Sequence, residues 1–451
     1  MKNCRIKVKG FGKIKEAFLE PAELTLFVGD NNSGKSYLMS LLWGIDNLGV
    51  DALLGRDTDS GQKTKAWQEL FYWVKEQADF LIEENKCAAS MNRVIDKFQS
   101  FLQEQIKQNK DDLIKKIFNS QDVVIQELEI ELRGLSDVSL SINRQQDKST
   151  LFLTLQNKSW ERELAVVFGK DIKCFGEENY WLMIKAVYCL LLDIGLNEEG
   201  TVHDVYLPAA RTGFMLTKDI INKVSRRSVY NLDIEDEITP FTRPVNQFLD
   251  VMNDLSMKHE EERYYEIVKE LEDGMIDGAI HMSMLPNKEV YYAPSGSSVK
   301  LPLRVVSAVV TELSPLILIL KHMKRLDMLF YEEPEMCLHP QLQQKMAKVL
   351  CRLNYAGLNM IVTTHSDLIL QHINNMIRLS CREDADVICR RFGYTLSDLL
   401  PPERVKVYQL SMQAGGMTEV EELKCSENGF AVPTFNHALE KINGEAYAIQ
   451  E

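Results

Sequence analysis

Residues 24–36 read LTLFVGDNNSGKS, a run that indicates an α/β protein. The apolar residues Leu24–Val28 predict a short buried strand, and the apolar stretch Tyr37–Ile45 predicts a helix directly after the run. Between them, Gly29 and Gly34 permit the backbone angles that turn successive N–H groups inward. A strand, a glycine-rich loop ending in Lys-Ser and a helix together form the sequence pattern of a phosphate-binding loop.

This loop predicts a nucleotide site that uses ATP and Mg²⁺. The loop backbone and the start of the following helix would hold the β-phosphate, Lys35 would reach the β- and γ-phosphates, and Ser36 would ligate Mg²⁺. A chance glycine-rich turn is the alternative, and the agreement of strand, loop and helix disfavours it. The residues predicted to bind the nucleotide here are Gly29, Asn31, Asn32, Ser33, Gly34, Lys35 and Ser36.

A second segment predicts a parallel strand-helix-strand unit. Residues 328–335 read MLFYEEPE, an apolar run that ends in acids, and residues 360–366 read MIVTTHS. Between them, residues 340–353 place their apolar side chains on one helical face, as a crossover helix does. Because the carboxyl ends of parallel strands meet at one edge of a sheet, the acids and the histidine are expected beside the phosphate loop.

These positions predict the chemistry of the site. Glu332 would hold Mg²⁺ through water, Glu333 would orient or deprotonate the attacking water, and His365 would sense the γ-phosphate. The plain alternative is that the two acids form a solvated strand end and that His365 caps a helix. Together with the phosphate loop, the pattern favours Glu333, His365 and Lys35 as catalytic residues, and Ser36 and Glu332 as metal ligands.

With these motifs the chain resembles small prokaryotic ABC-type ATPases of the SMC/Rad50/OLD-like group, often labelled AAA-family ATPases. In that group the Walker B strand ends in Asp-Glu-Pro-Glu, followed shortly by Leu-His-Pro. Residues 331–340, YEEPEMCLHP, match this pattern except that Glu332 replaces the aspartate. The longer carboxylate still reaches a magnesium-bound water.

Residues 307–316, SAVVTELSPL, resemble the signature motif of these ATPases, Ser-Ser-x-x-x-Glu-Leu-x-Pro-Leu, with Ala308 in place of the second serine. The resemblance implies that Ser307 acts on the γ-phosphate held by a second subunit, so that ATP is enclosed in a head-to-tail homodimer. The alternative is a buried helix over residues 305–320 that is kinked at Pro315.

Two further stretches match the family less specifically. Residues 206–213, YLPAARTG, resemble the Leu-Pro-Ala-x-Arg turn that these proteins carry beside the nucleotide. Its Arg211 would touch phosphate or a partner, or else form a structural salt bridge. Residues 429–436, GFAVPTFN, resemble the closing segment of the family, for which the sequence indicates no role.

The predicted fold is therefore an α/β ABC-type P-loop ATPase head with a mixed or parallel sheet, an antiparallel β subdomain and a helical insertion. Residues 64–119 are rich in helix formers, whereas residues 125–132 and 150–155 alternate as strands do. The predicted divisions are the N-terminal part of the ATPase domain (1–50), a helical and β insertion (51–205), a charged helical insertion (206–280), the C-terminal part of the ATPase domain (281–380) and a C-terminal segment (381–451).

Net charge, the lengths of apolar runs and cysteine spacing exclude several classes of protein. The formal charge of −14 argues against a protein whose whole surface wraps DNA, although a local basic groove is compatible with it. No apolar run is long enough for a membrane helix and no apolar signal core opens the sequence, so a cytoplasmic protein is expected. The nine cysteines form no C-x-x-C pair, which disfavours structural zinc.

The charges of residues 206–280 do not determine what this predicted insertion binds. Its first part holds Lys218, Lys223, Arg226 and Arg227, and residues 233–273 are strongly acidic. The basic part would touch a phosphate backbone or, more simply, form a solvated helix face. The acidic part suits a protein partner or solubility. Asp384-Ala385-Asp386 is interpreted as a surface turn, and the remainder after His365 is shorter than the Toprim domain of OLD-type nucleases, so this chain is not expected to cut nucleic acid.

The resemblance implies a sensor or regulatory ATPase of bacterial anti-phage defence, like those of the Septu, PARIS and retron-associated systems, with a separate effector such as a nuclease. Nucleic acid contact would then be indirect. The alternative is a DNA-repair ATPase of the RecF or Rad50 kind that binds DNA directly. A transporter subunit is disfavoured because no Leu-Ser-Gly-Gly-Gln stretch is present. A P-loop kinase is disfavoured by the Glu-Glu-Pro sequence at residues 332–334.

Overall fold

The fold is taken from a computed structural model. It describes residues 3–54, 64–145, 149–168, 175–194, 203–229, 241–256, 262–283 and 288–433, together with 444, 445, 447 and 449. The predicted contacts of Lys223, Arg226 and Arg227, parts of the acidic stretch, and residues 434–436 of the closing segment lie outside this description.

The strands follow the chain in this order: β1 (Cys4–Phe11), β2 (Ile14–Leu19), β3 (Leu24–Gly29), β4 (Lys86–Ser90), β5 (Ile125–Leu132), β6 (Ser139–Arg144), β7 (Thr150–Gln156), β8 (Glu161–Val167), β9 (Asp204–Leu207), β10 (Gly278–Met282), β11 (Val290–Pro294), β12 (Leu301–Pro302), β13 (Met328–Glu332), β14 (Asn359–Thr363), β15 (Val405–Met412) and β16 (Thr418–Leu423).

The α-helices are α1 (Lys35–Asn47), α2 (Gly49–Leu54), α3 (Lys65–Glu84), α4 (Ile95–Phe118), α5 (Glu177–Leu192), α6 (Arg211–Val229), α7 (Arg243–Asp254), α8 (Tyr265–Leu271), α9 (Ala308–His322), α10 (Pro340–Tyr355), α11 (Asp367–Ser380) and α12 (Ala385–Phe392). A π-helical turn, Glu272–Ile276, follows α8. Within the described residues, no helix is both long enough and apolar enough to cross a bilayer.

The chain divides into two compact units. The first unit comprises Met1–Pro21, Leu41–Lys116 and Ser120–Thr201, and the second comprises Ala22–Ser40, Ile117–Asn119 and Val202–Glu451.

In the first unit, β4, β6, β7 and β8 form the predicted antiparallel sheet, and α5 packs on β7 and β8. Two details differ from the sequence-based expectation. Strand β5 pairs with β1 rather than with this sheet, and the short strand β4 interrupts the helix-rich stretch between α3 and α4. Alternation along one strand does not determine which other strand it pairs with, so the sequence could not assign β5 to its neighbour.

Charges of opposite sign face each other across β1 and β5 in the first unit. Arg5 lies opposite Glu131 and Lys7 lies opposite Glu129 in the antiparallel register. The Lys7 ammonium is 2.7 Å from the carboxylate of Glu127 and 3.6 Å from that of Glu129. We call this set of residues the charge ladder. Its three carboxylates balance the charge of the basic residues near the start of the sequence.

The second unit holds a mixed sheet in which β16, β15, β3, β14, β13 and β9 lie side by side in that order. Strands β15 to β9 run parallel, and β16 is antiparallel to β15. Every residue of β3 is buried, as in a parallel strand that is covered on both faces. The parallel register brings the segments that follow β3, β9, β13 and β14 to one edge, which we call the carboxyl edge.

Helix α9 crosses the core of the second unit and contacts α6 and α8. It contains Pro315, which cannot donate the backbone hydrogen bond that would reach the carbonyl of Thr311. The hydroxyl of Ser314 donates to that carbonyl instead, at 2.8 Å. The predicted helix therefore continues through the proline, with its body buried and its start exposed.

The described part of the closing segment packs on α11. The Asn374 amide donates to the Phe430 carbonyl at 2.7 Å and accepts from the Phe430 N–H at 2.8 Å. Phe430 and Val432 are buried in the core of the second unit. These contacts attach the closing segment to the helix that begins directly after His365 and Ser366.

Candidate functional site

The phosphate loop follows β3 and has the backbone shape that its sequence predicts. Gly29 and Gly34 have φ of 119° and 101°, and Asn32 adopts the left-handed region at 59°. A Cβ atom on Gly29 would lie 2.2 Å from the carbonyl oxygen of Leu410, so only glycine fits there. The glycine is thus required by the neighbouring strand β15 as well as by the turn.

Strand β15 also holds the next residue of the loop. The Asp30 N–H donates to the Leu410 carbonyl at 3.1 Å, and the Met412 N–H donates to the Asp30 carboxylate at 2.9 Å. The sequence-based reasoning missed these contacts because Val405–Met412 was not assigned as a strand. Its alternation of apolar and polar residues was the available signal.

The Lys35 side chain turns back over the loop. Its ammonium donates to the carbonyls of Gly29 at 3.1 Å and Asp30 at 2.6 Å, and it lies 3.5 Å from the hydroxyl of the buried Ser33. Burial lowers the pKa of Lys35 to about 8, although the Glu333 carboxylate opposes the shift. An ammonium that is held by carbonyls in a desolvated loop is suited to transfer its hydrogen bonds to phosphate oxygens.

The remaining loop residues present polar groups to solvent. Asn31, Asn32 and Ser36 are exposed, and Ser36 follows Lys35 at the start of α1. The structure therefore places the predicted loop residues in one continuous segment at the carboxyl edge, from the end of β3 through the turn to the start of α1.

Glu332 ends β13 and is buried. One of its carboxylate oxygens accepts the Ala209 N–H at 2.8 Å. Among the described residues, the other oxygen, Oε1, has no hydrogen-bond partner and is out of contact with solvent. A buried carboxylate oxygen without a partner is costly unless a cation or water satisfies it, so this residue fits a role in holding Mg²⁺ with Ser36. Burial and the Glu332 carboxylate also raise the pKa of Tyr206.

Glu333 and His365 face each other at the carboxyl edge. Glu333 has a left-handed backbone, with φ of 44°, and its N–H donates to the Thr363 carbonyl at 2.9 Å. Its carboxylate lies 3.6 Å from Nε2 of His365. Burial, and next the charge of Glu332, raise the pKa of Glu333, whereas burial and then Lys35 lower the pKa of His365. The carboxylate is therefore a stronger base than usual, beside an imidazole that favours its neutral form.

Glu335 positions the turn that carries the histidine. Its carboxylate accepts the Thr364 hydroxyl at 2.9 Å and the His365 N–H at 2.5 Å. The Ser366 hydroxyl then accepts the Ile369 N–H at 3.1 Å and caps α11. The sequence-based reasoning gave Glu335 no role, although it is the last acid of the EEPE run.

Arg211 is fully buried, and its guanidinium contacts carbonyls and a carboxylate of the protein itself. One guanidinium nitrogen donates to the carbonyls of Pro208 at 2.8 Å and Glu332 at 2.5 Å. The other donates to the Glu333 carbonyl at 3.1 Å and pairs with the Glu312 carboxylate at 2.7 Å. Of the two roles considered for Arg211, the structure supports the structural salt bridge.

Ser307 is the residue before α9 and is exposed. Its hydroxyl makes no capping hydrogen bond to the helix. Its predicted contact is with a second copy of the chain and stays a prediction.

The Asp384-Ala385-Asp386 stretch, which the sequence suggested was a surface turn, instead forms the start of α12. Asp384 pairs with Arg382 at 2.7 Å, and Asp386 lies in the first turn of α12. In the part of the chain that the structure describes, no three or more His, Cys, Asp or Glu residues are grouped to hold a metal ion.

A family model described as an AAA ATPase domain matches residues 1–370, from β1 through the phosphate loop and Walker B to His365. The chain belongs to this AAA ATPase family. The match confirms the ATPase family that the motifs predicted, and the two-unit α/β architecture confirms the predicted fold class. Among curated protein sequences, none matches this ATPase.

Three of the solved structures that are similar to the ATPase are SMC head domains. One is an SMC head bound to the C-winged helix domain of ScpA. It has 12% identity and a TM-score of 0.37, and the match covers 94% of this chain and 98% of that chain. The SMC head of Thermotoga maritima has 11% identity, 94% and 100% coverage and a TM-score of 0.32. An SMC head with an extended coiled coil, bound to the C-terminal domain of ScpA and derived from Pyrococcus furiosus, has 12% identity, 99% coverage of both chains and a TM-score of 0.38.

Proposed function

We propose that this AAA-family ATPase binds ATP and Mg²⁺ at the carboxyl edge of the second unit and hydrolyses the γ-phosphate bond. One observation carries the proposal: a desolvated lysine, a carboxylate with a raised pKa and a histidine with a lowered pKa converge on the ends of adjacent parallel strands. Perturbed groups of complementary chemistry at one edge are typical of a catalytic site.

The loop would bind the triphosphate before any chemistry. Inward N–H groups of residues 29–36 would hold the β-phosphate, and Lys35 would exchange its carbonyl partners for β- and γ-phosphate oxygens. Ser36 and Glu332 would hold Mg²⁺, which when bound neutralises charge on those oxygens.

Glu333 would accept a proton from the attacking water. Its raised pKa makes the carboxylate a better base, and its position after β13 places it at the same edge as the loop. His365 would donate a hydrogen bond toward the γ-phosphate, since its ring is close to Glu333 and a neutral imidazole retains one N–H. Glu335 would keep the His365 backbone in place.

Lys35→Ala tests the binding step. ATP affinity, measured by calorimetry, should fall by about 100-fold or more because the ammonium supplies charge-assisted bonds to two phosphates. The matched control is Lys97→Ala, which removes a lysine of the first unit that pairs with Glu69. Undiminished ATP affinity in Lys35→Ala would contradict the assignment of the loop.

We further propose that ATP drives head-to-tail dimerisation, with Ser307 of one copy covering the γ-phosphate of the other. Two features support this proposal: Ser307 is exposed with a hydroxyl that makes no capping hydrogen bond to α9, and the sequence around it resembles the signature motif. Ser307→Arg should abolish ATP-dependent dimers in analytical ultracentrifugation while leaving ATP binding by the monomer unchanged. Dimers that persist in this variant would remove Ser307 from the interface.

In the cell, we propose a cytoplasmic sensor or regulatory subunit of an anti-phage defence complex with a separate nuclease effector, on the basis of the motif resemblance. Co-expression with the product of the neighbouring gene, followed by phage challenge, tests this. Protection that Lys35→Ala abolishes supports defence. ATP-dependent, salt-sensitive duplex binding by the isolated protein, without such protection, would support the DNA-repair alternative.

A further inference from the structure

The signature-like helix α9 is attached to the carboxyl edge through one buried acid. Glu312 lies in the second turn of α9 and is 1% exposed. One of its oxygens accepts both the N–H and the hydroxyl of Thr212, at 2.9 and 2.7 Å. The other lies 2.7 Å from the Arg211 guanidinium. The start of α6 and the second turn of α9 therefore meet at this carboxylate.

On its other side, Arg211 contacts the backbone that carries the two Walker B carboxylates. It donates to the carbonyls of Glu332 and Glu333, and its guanidinium lies 4.8 Å from the centre of the Tyr331 ring. A single guanidinium thus joins the end of β13 to α9. Its planar set of donors holds both sides in a defined geometry, which a lysine could not do.

This connection leaves little freedom for independent movement. Arg211 and Glu312 are excluded from water, so neither can exchange its partner for solvent without a large cost. Glu333 meanwhile has a left-handed backbone, which the neighbouring structure must stabilise. A shift of the Glu333 backbone on nucleotide binding or hydrolysis would therefore have to move the guanidinium and, with it, α9.

We propose that the Arg211–Glu312 pair transmits the nucleotide state of the carboxyl edge to the start of α9, and so determines whether Ser307 can close on a second copy. Arg211 and Glu312 act as positioning residues. The inference rests on the proposed function, because it assigns the link between the ATP site and the dimer-forming helix.

Helix α9 also offers a matched control at its opposite end. There Lys321 pairs with Glu272 of the π-helical turn at 2.6 Å, and the two side chains are 22% and 14% exposed. This pair anchors the same helix but contacts neither β13 nor the phosphate loop. It separates loss of an anchor on α9 from loss of the connection to the nucleotide edge.

The test uses the full chain. Glu312→Gln retains an acceptor for Thr212 but replaces the anionic partner of Arg211 with a neutral amide. ATP affinity of the monomer should stay within about twofold, whereas ATP-driven dimerisation should weaken by about 5–150-fold, the usual range of coupling between sites. Glu272→Gln should dimerise like the wild type. If Glu312→Gln does not fold, Thr212→Val, which removes one donor to Glu312, should weaken dimerisation in the same direction.

A second measurement follows the link within one copy. In a Ser307→Arg background, which cannot dimerise, ATP should still change hydrogen exchange in residues 303–311, and adding Glu312→Gln should abolish that change. An unchanged exchange response, or dimerisation equal to the wild type in Glu312→Gln, would overturn the inference while leaving the proposed function intact. A wild-type protein that binds ATP but stays monomeric would instead overturn the proposed dimer, and the inference with it.

Discussion

Two ion pairs of this molecule have the same length and opposite surroundings. Lys7 and Glu127 of the charge ladder are 2.7 Å apart, with side chains that are 25% and 35% exposed. Arg211 and Glu312 are also 2.7 Å apart, with side chains that are 0% and 1% exposed. Water competes for both partners in the first unit, and it reaches neither in the second.

Distance alone therefore does not determine what a charge pair contributes to stability. An exposed pair adds little to stability because solvent and salt screen it. A buried pair adds little against an apolar alternative, but removing one partner leaves a desolvated charge. The ladder therefore balances surface charge, whereas the buried pair holds the Walker B backbone and α9 in one arrangement.

The largest effect should be on ATP turnover, when the proposed general base at the carboxyl edge is replaced. Glu333→Gln should reduce ATP turnover by about 100- to 10,000-fold, the usual contribution of a positioned general base, while ATP binding persists. Steady-state hydrolysis and ATP affinity are the measurements. Glu127→Gln in the charge ladder is the control and should turn over ATP like the wild type. Wild-type turnover in Glu333→Gln would show that another group activates the water.

The next largest effect should be on stability. Arg211→Met leaves the carboxylate of Glu312 buried without its cation and should lower the free energy of unfolding by about 3–5 kcal/mol. Denaturant unfolding measures this loss, with Lys7→Met as the matched variant of the partly exposed pair. A loss as small in Arg211→Met as in Lys7→Met would show that burial does not distinguish the two pairs.

A smaller effect is expected from pH. The pKa of Lys35 is lowered to about 8, so the lysine is charged below that pH and becomes neutral above it. ATP affinity of the free protein should therefore be constant below pH 8 and decline by up to about tenfold per pH unit above it. The measurement is ATP affinity at saturating Mg²⁺, determined from pH 6.5 to 9.5 in steps of roughly half a pH unit. A flat profile up to pH 9.5 would show that the loop does not desolvate the lysine.

The smallest effect is expected in the ladder itself. Glu127→Gln removes the bond that raises the pKa of Lys7, but both side chains reach solvent. The free energy of unfolding should change very little, and the remaining change should vanish at high salt. A clear destabilisation that salt does not reduce would show that Lys7 and Glu127 contribute to stability as the buried pair Arg211 and Glu312 does.

Much of the carboxyl edge was predictable because its signals are local. The strand Leu24–Gly29, the glycine-rich loop, the helix that begins at Lys35, and the acidic end of β13 each follow from neighbouring residues. The rule that parallel strands place their ends together then brings Glu333 and His365 beside the loop.

Residues close in the chain were enough to predict β3, α1, β13, α10 and β14 and the chemistry at the strand ends, since hydrophobic period, glycine backbone freedom and carboxylate type are local properties. Three pairings became visible only in the folded chain: β15 lies beside β3 and requires Gly29, β5 pairs with β1, and Arg211 pairs with Glu312. Partners far apart in sequence are selected by packing and by the exclusion of water, and neither leaves a short-range pattern along the chain.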